Sequence, residues 1–379
     1  MRIGLNLLHA RPVIGGAWNY IKNVVSLLQN FDRENEYIVY CSPVSACLVE
    51  DHPSFRKIKI GIFKENQLHR ILYENTVLQF YAMKDRIDIM HWFANTQALL
   101  NVKPGVVTVH DLLVFHNPDA YRSYKKTYYR LMMAQTVKRA RFFTIISEST
   151  AQDLAKRFGV PRDRMTVVNN PLSGEFVPAT ADEIKRLRQK YLLPRQFWLY
   201  VAHYYPHKNH QRLFAAYAKL RSQQSSTWPL VLRGEKNGKD ELIEHLLAES
   251  GIVNDVIWLP RLADAEMPVL FSSATALVFP SLFEGGGIPV MEAMACGCPV
   301  LASDIPTARE FAGDAALLFN PSEIESIMKA MQVFQTESSI RDKCRQCGLK
   351  KAEDYRPEQV FSALISAYKT AHGLSGLKN

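Results

Sequence analysis

Short apolar runs alternate with longer helix-like stretches along the whole chain, and this alternation constrains the fold more than any other feature. The runs in the first half are RIGLNLL, YIVY, IKIGIF, IDIMHW, VVTVH, FFTII and MTVV. Those in the second half are FWLYVA, LVLR, VIWLP, ALVF, PVLAS and ALLF. Many are continuous rather than alternating in polarity, as strands are when both faces of a sheet are covered. Strands separated by helices build right-handed βαβ units and parallel sheets. The pattern restarts near Phe197, after a polar, proline-punctuated stretch from Asn170 to Pro194. A length of 379 residues suits two domains. The expected class is therefore α/β with two doubly wound domains, residues 1–175 and 176–355, followed by an amphipathic helix within 356–379. Ligands bind outside the carboxyl ends of strands in such sheets. If the two sets of strand ends face one another, the site is the cleft between the domains.

Charge narrows the partners. Residues 1–180 carry 23 Lys and Arg against 15 Asp and Glu, whereas residues 181–379 carry 23 against 22. A basic first half points to an anionic partner. The chain has no RNP motif, paired zinc ligands or basic zipper, so nucleic acid is not expected, and lipid surfaces and phosphates gain weight. No run of 18 apolar residues exists, and MRIGLNLLHARP reads as a buried first strand rather than a leader. Six cysteines with a single CxxC, Cys344 and Cys347, read as free thiols of a cytoplasmic protein rather than a zinc site or disulfide framework.

The stretch Ser281–Val300 reads SLFEGGGIPVMEAMACGCPV. Its pattern predicts a strand ending at Pro280, a glycine turn, a helix over Pro289–Cys296 and a second strand. Pro289 suits the first helical turn, Gly297 the residue just past the helix, and Pro299 the stop. A glycine turn before a helix start offers backbone N–H groups and the positive dipole end to an anion such as phosphate. Glu292, one turn into the helix, can accept from ribose hydroxyls, and Glu284 precedes the glycines. A structural turn with two solvated carboxylates is the plain alternative.

This segment resembles the signature of retaining glycosyltransferases of family four, which have the GT-B fold of two Rossmann-like domains. The match runs through Glu284, Gly285, Gly287, Ile288, Pro289, Glu292, Ala293, Met294, Ala295, Cys296, Gly297, Pro299 and Val300. It departs at Gly286, where the family usually has a bulky residue. The resemblance implies that Glu284 contacts the donor sugar, Glu292 the ribose, and the Gly285–Gly286–Gly287–Ile288 backbone the phosphates and sugar. It further implies a nucleotide-sugar donor and no other cofactor or metal, GDP-mannose being favoured, with UDP-glucose, UDP-galactose and UDP-N-acetylglucosamine open. The acceptor implied is a lipid-linked or polysaccharide glycan, as in O-antigen or capsule assembly, alongside other glycan-assembly enzymes.

Further segments resemble that family in order. Gly15 and Gly16 precede the helical pattern AWNYIKNVVSLL and match its N-terminal glycine loop. VVTVHDLL places His110 and Asp111 at a strand end, where the resemblance implies contact with donor sugar and phosphate. In YVAHYYPHKNH, Lys208 matches the lysine that neutralises the leaving diphosphate. His203 and His207 stand where arginines are common, and Arg233 in LVLRGEKNG is a candidate to replace the missing charge. Pro260 matches a turn near the nucleotide base, while Ser147, Glu148 and Ser149 read as a helix cap. The final helix is expected to cross back to the first domain.

Tyr121–Phe142, YRSYKKTYYRLMMAQTVKRARF, interleaves seven basic residues with four tyrosines. It reads either as an anionic membrane contact on the inner face of the plasma membrane or as a solvated helix. Two rival functions remain at this point: another enzyme on the same fold, such as a sugar epimerase or phosphorylase, and a non-catalytic partner subunit.

Overall fold

The computed structural model describes residues 1–11, 16–61, 67–117, 123–224 and 226–373. The chain divides into two compact units: Met1–Pro171 with Pro357–Asn379, and Leu172–Arg356.

Unit 1 contains a seven-stranded sheet. Its strands are β1 (Arg2–Asn6), β2 (Glu36–Cys41), β3 (Phe55–Lys59), β4 (Ile89–Trp92), β5 (Gly105–Val109), β6 (Phe142–Ile145) and β7 (Met165–Val167). They lie in the order β3-β2-β1-β4-β5-β6-β7, and every pairing is parallel. Unit 2 contains β8 (Trp198–Val201), β9 (Leu230–Arg233), β10 (Val256–Leu259), β11 (Ala276–Phe279), β12 (Val300–Ser303) and β13 (Ala316–Phe319). Their order is β10-β9-β8-β11-β12-β13, again all parallel. β1, β4, β5, β6, β8, β11 and β12 are buried along nearly their whole length, which is why their sequences are apolar without alternation. The strand order reverses between β1 and β4 and between β8 and β11, the crevices where doubly wound sheets bind ligands.

One strand sits elsewhere than its apolar run. IKIGIF suggests residues 58–63, but β3 spans Phe55–Lys59. It is an edge strand, and its register is set by Phe55 opposite Tyr37, whose rings stack with centroids 4.5 Å apart. A single neighbour asks for little continuous apolar sequence.

The helix Pro357–Gly373 belongs to unit 1. Its Val360, Leu364, Ile365, Ala367, Tyr368 and Ala371 are buried in the same core cluster as Ile3, Val24 and Ile89. Tyr368 shares a 2.7 Å hydrogen bond with His91 Nδ1, and His91 Nε2 shares one of 2.8 Å with Thr108 Oγ1. Thr108 and Thr144 are joined by a further 2.8 Å bond. Burial lowers the His91 pKa to about 3, so the imidazole is neutral and this run of hydrogen bonds carries no charge. The cysteines are free, and burial pushes Cys298 up to about 12 and Cys344 to about 11, which keeps both as inert thiols. No helix among the described residues is long and apolar enough to cross a membrane.

Candidate active site

The reversal in unit 2 gathers the most chemistry. β8 runs out into a single 3-10 turn, Pro206–Lys208, and Asn209 ends it in a left-handed conformation with φ 62°. Asn209 is 3% exposed, and its Nδ2 donates to the carbonyls of Pro280 (2.9 Å) and Pro321 (2.8 Å). Asparagine tolerates this backbone and its amide pins the turn to the end of β11. The His207 carbonyl accepts from Leu282 N–H at 2.7 Å, and the Lys208 carbonyl accepts from the Tyr200 hydroxyl. Lys208 is thereby held at a fixed place on one side of the crevice.

Glu284 stands on the other side, after β11. Its Oε1 lies 2.6 Å from Lys208 Nζ, with side-chain exposures of 11% for Glu284 and 19% for Lys208. Thr307 Oγ1 donates to the Glu284 carbonyl at 2.9 Å and fixes its backbone. Lysine and glutamate from opposite sides of the reversal thus meet as one largely desolvated pair.

The three glycines are not equivalent. Gly287 alone among them has a left-handed backbone, φ 51°. It sits directly before the helix Ile288–Ala295, one residue earlier than the sequence pattern suggests. A Cβ on Gly287 would meet Phe311 Cδ2 at 3.0 Å. Gly285 and Gly287 are buried and Gly286 is partly exposed, so Gly286 is the most accessible of the three.

Glu292 is partly buried in that helix. Burial, then the charge of Asp264, raises its pKa from an ordinary 4.5 to about 8, while Arg233 opposes the shift. The folded chain therefore holds this proton more tightly than the unfolded chain. The associated stability is complete below pH 4.5 and is lost as pH rises to about 8. Glu292→Gln should remove that slope. Between pH 5 and 8 the wild type should lose on the order of 2 kcal/mol relative to the glutamine variant, after discounting for partial exposure. Denaturant melts of both proteins across that range check it, and parallel curves would refute the assignment.

His203 follows β8, and its Nδ1 accepts from Glu235 N–H at 2.9 Å. Burial, and then the charge of Arg233, lower its pKa. An accepting Nδ1 leaves the proton on Nε2, so His203 is a neutral donor and not a second cation. Arg233 is half-buried, with Nε unpaired among the described residues. Arg233 also lines a cavity of about 320 Å³ with Lys236, Trp258, Pro260 and Arg261 at the carboxyl ends of β9 and β10.

In unit 1, His110 follows β5. Its backbone N–H donates to Asn95 Oδ1 at 2.7 Å, and its Nε2 pairs with the Phe93 carbonyl at 2.8 Å. The ring meets Tyr20 edge-on, with centroids 5.0 Å apart. Burial lowers its pKa, so the ring is neutral, with the Nε2 proton donated to Phe93 and Nδ1 left as an acceptor. Asp111 caps locally: its Oδ1 accepts from Leu113 N–H at 2.9 Å. Gly16 begins the helix Gly16–Phe31, and Gly15 lies outside the described residues. Ser147 caps the helix Glu148–Phe158 by accepting from Thr150 N–H at 3.1 Å.

Three residues escaped the sequence reading. Asn95, at φ 58°, accepts from His110 N–H and donates to the Asp111 carbonyl at 3.1 Å, and so positions the His110 backbone. Asp264 biases Glu292, and Thr307 fixes Glu284. A lone asparagine after a strand is the only signal the first leaves in the sequence.

The Glycosyltransferase Family 4 model matches residues 14–175, and the Glycosyl transferases group 1 model matches residues 183–351. O-antigen chain mannosyltransferase B of Escherichia coli is 26% identical over 304 residues, 80% of this chain and 79% of that one. O-antigen chain mannosyltransferase RfbU of Salmonella typhimurium is 28% identical over 60% of this chain and 59% of its own. The serotype-specific mannosyltransferase WbdA of Escherichia coli is 31% identical over 62% of this chain, a span that takes in 29% of its own length. In fold, the chain is similar to sucrose-phosphate synthase from Thermosynechococcus elongatus (TM-score 0.81, 18% identity, 99% of this chain and 100% of that chain). It is also similar to WaaG, a glycosyltransferase involved in lipopolysaccharide biosynthesis (TM-score 0.72, 17% identity, 99% and 100%). Two parallel sheets, the second with the glycine turn, the lysine and the glutamates at its strand ends, and two adjoining family matches over both units, lead to one conclusion: the chain is a glycosyltransferase of family 4 with the GT-B fold.

Proposed function

We propose that this glycosyltransferase moves mannose from GDP-mannose to a lipid-linked or polysaccharide acceptor in bacterial surface-glycan assembly, on the cytoplasmic side of the membrane and with retention at the anomeric carbon. The observation that carries the reading is the Lys208–Glu284 pair at the strand-order reversal, beside a glycine-led helix start. The names of the relatives, O-antigen and serotype-specific mannosyltransferases, support the sugar and the pathway.

The chemistry follows from charge. Lys208 and Glu284 satisfy each other in the structure. A diphosphate carries more negative charge than one carboxylate and takes Lys208 over, which releases Glu284 to accept from sugar hydroxyls. As the bond from the anomeric carbon to the diphosphate oxygen breaks, its electron pair goes to the diphosphate, and Lys208 stabilises the charge that develops there. The acceptor hydroxyl attacks from the same face, and the departing diphosphate oxygen takes its proton. Glu292 accepts from the ribose, His203 donates from Nε2, and Gly285–Gly287 with Ile288 bring backbone against phosphate and sugar. In unit 1, neutral His110 offers Nδ1 as a hydroxyl acceptor.

A thermal-shift panel of GDP, UDP and ADP tests this. GDP should stabilise most, by about 2.7 kcal/mol at 100 times its Kd. A larger shift with UDP would move the donor to a UDP-sugar, and no shift with any nucleotide would overturn the reading.

Gly286 gives a second test. Its φ is not positive, so a side chain is compatible with the backbone. Gly286→Phe should fold normally and change kcat/KM for the donor at least tenfold, the scale of one misfitted pocket contact. Unchanged kinetics for every donor would show that this glycine does not face the sugar.

A further inference from the structure

Large apolar side chains on a surface are normally scattered singly. Here they are gathered. Of 19 such side chains among the described residues, nine lie between Leu68 and Leu131. The helix Gln67–Asn75 exposes Leu68 (72%) and Leu72 (64%) one turn apart, and the helix Val77–Lys84 exposes Phe80 (59%) and Met83 (52%). Leu100 (61%) and Leu131 (64%), on neighbouring segments, are exposed as well.

Hydrogen bonds make one surface of these pieces. Asn75 Oδ1 accepts from the N–H groups of Leu99 (2.7 Å) and Leu100 (3.2 Å). Gln79 Oε1 accepts from Val102 N–H at 2.9 Å. Arg139, at the end of the helix Ser123–Arg139, donates to the Leu99 carbonyl. Tyr128 of that helix and Arg70 of the first line a common small cavity. The loop bearing Leu100 is thus tied to all three helices with its leucines outward.

The charge on these segments is nearly all of one sign. Residues 67–84, 99–103 and 123–139 contain one carboxylate, Glu74, which is buried 3.8 Å from Arg70. Lys84, Arg130, Lys138 and Arg139 are exposed. Within Tyr121–Phe142, Tyr128 and Tyr129 are half-buried and Arg130, Lys138 and Arg139 exposed, so this stretch supplies the cationic rim and the neighbouring helices supply the apolar floor. Tyr121 and Arg122 lie outside the described residues.

We propose that this face docks on an anionic lipid bilayer. Leu68, Leu72, Phe80 and Met83 enter the boundary between headgroups and acyl chains, and the lysines and arginines take lipid phosphates. A second copy would bring two cationic rims together, which opposes pairing through the same face. The inference rests on the proposed function only in that a lipid-linked acceptor gives the enzyme a reason to sit there; docking itself needs neither donor nor turnover.

Sedimentation with phosphatidylcholine vesicles, with and without phosphatidylglycerol, tests it. The wild type should pellet only with phosphatidylglycerol, most strongly at about 50 mM salt. The double variants Leu72→Gln with Phe80→Gln, and Arg130→Glu with Lys138→Glu, should each bind roughly tenfold more weakly. All these side chains are exposed, so the melting temperature and the nucleotide-induced shift should stay at wild-type values, which separates loss of docking from failure of the donor reading. No phosphatidylglycerol-dependent pelleting, or variants that bind as the wild type does, would overturn the proposal. So would a self-associated state that Leu72→Gln with Phe80→Gln dissociates, since the face would then belong to a second copy.

Discussion

Lys208→Ala should lower kcat roughly 10³-fold, the cost of removing one preorganised charge from a developing anion. The Lys208 backbone is fixed through its own carbonyl and through Asn209, and Glu284 holds its Nζ in place before any ligand binds. The variant also leaves Glu284, 11% exposed, without its cation, and should lose ~2 kcal/mol of stability. Glu284→Gln separates the roles. It frees Lys208 from its competitor, so GDP affinity should hold or rise while transfer falls. Lys208→Ala should instead lose GDP affinity and turnover together. Calorimetry with GDP alongside initial rates distinguishes them. Equal loss of GDP affinity in both variants would mean that the pair acts as a structural clamp.

Gly234→Ala should be the most destabilising single-methyl substitution in unit 2. A Cβ there would lie 1.8 Å from the Ala202 carbonyl oxygen and 2.9 Å from His203 N. Both obstacles are backbone, so no side chain can yield. Relief requires parting the ends of β8 and β9, which breaks Ala202 N–H to the Arg233 carbonyl (3.0 Å) and Tyr204 N–H to the Glu235 carbonyl (2.8 Å). Trp258 Nε1, which donates to the Gly234 carbonyl at 2.9 Å, loses its acceptor as well. The expected loss is at least ~4 kcal/mol, in the range reserved for disrupted buried networks. Gly238→Ala is the control: its φ is 67° with nothing within 4 Å of the added Cβ, and it should cost about 1 kcal/mol. Denaturant unfolding measures both, and similar values would refute the backbone-clash argument.

Much of the architecture could be read from the chain because buried parallel strands write themselves as unbroken apolar runs. β11 and β12 stand within a residue of ALVF and PVLAS for this reason. β3 does not, since an edge strand is placed by one partner and a stacked Tyr37–Phe55 pair. Lys208 and Glu284 were legible through the spacing of a known signature, but their 2.6 Å contact joins residues 76 apart and needs the sheet. The charge of His203 was illegible too. The sequence shows a titratable group where arginine is common, but not that burial, nearby Arg233 and the Glu235 N–H keep it neutral. Asn95 leaves no pattern, because its work depends on a left-handed backbone between two strand ends. The apolar face of residues 67–84 also went unread. Leu72 lies in an amphipathic helix whose periodicity does not say which side meets the core, and the helix of Phe80 is apolar without a distinct polar side.

The membership of helix Pro357–Gly373 in unit 1 reverses the order in which the chain can mature on a ribosome. Unit 2 is one uninterrupted segment, Leu172–Arg356, and has everything it needs once Arg356 emerges. Unit 1 begins before unit 2 but lacks Tyr368 until the helix Pro357–Gly373 is made, so His91 has no phenolic partner and Val24 and Ile89 lack part of their cover throughout synthesis of unit 2. The half begun first is finished last. A nascent chain stalled before residue 357 would expose unfinished core from unit 1 to chaperones while unit 2 is already resistant to protease.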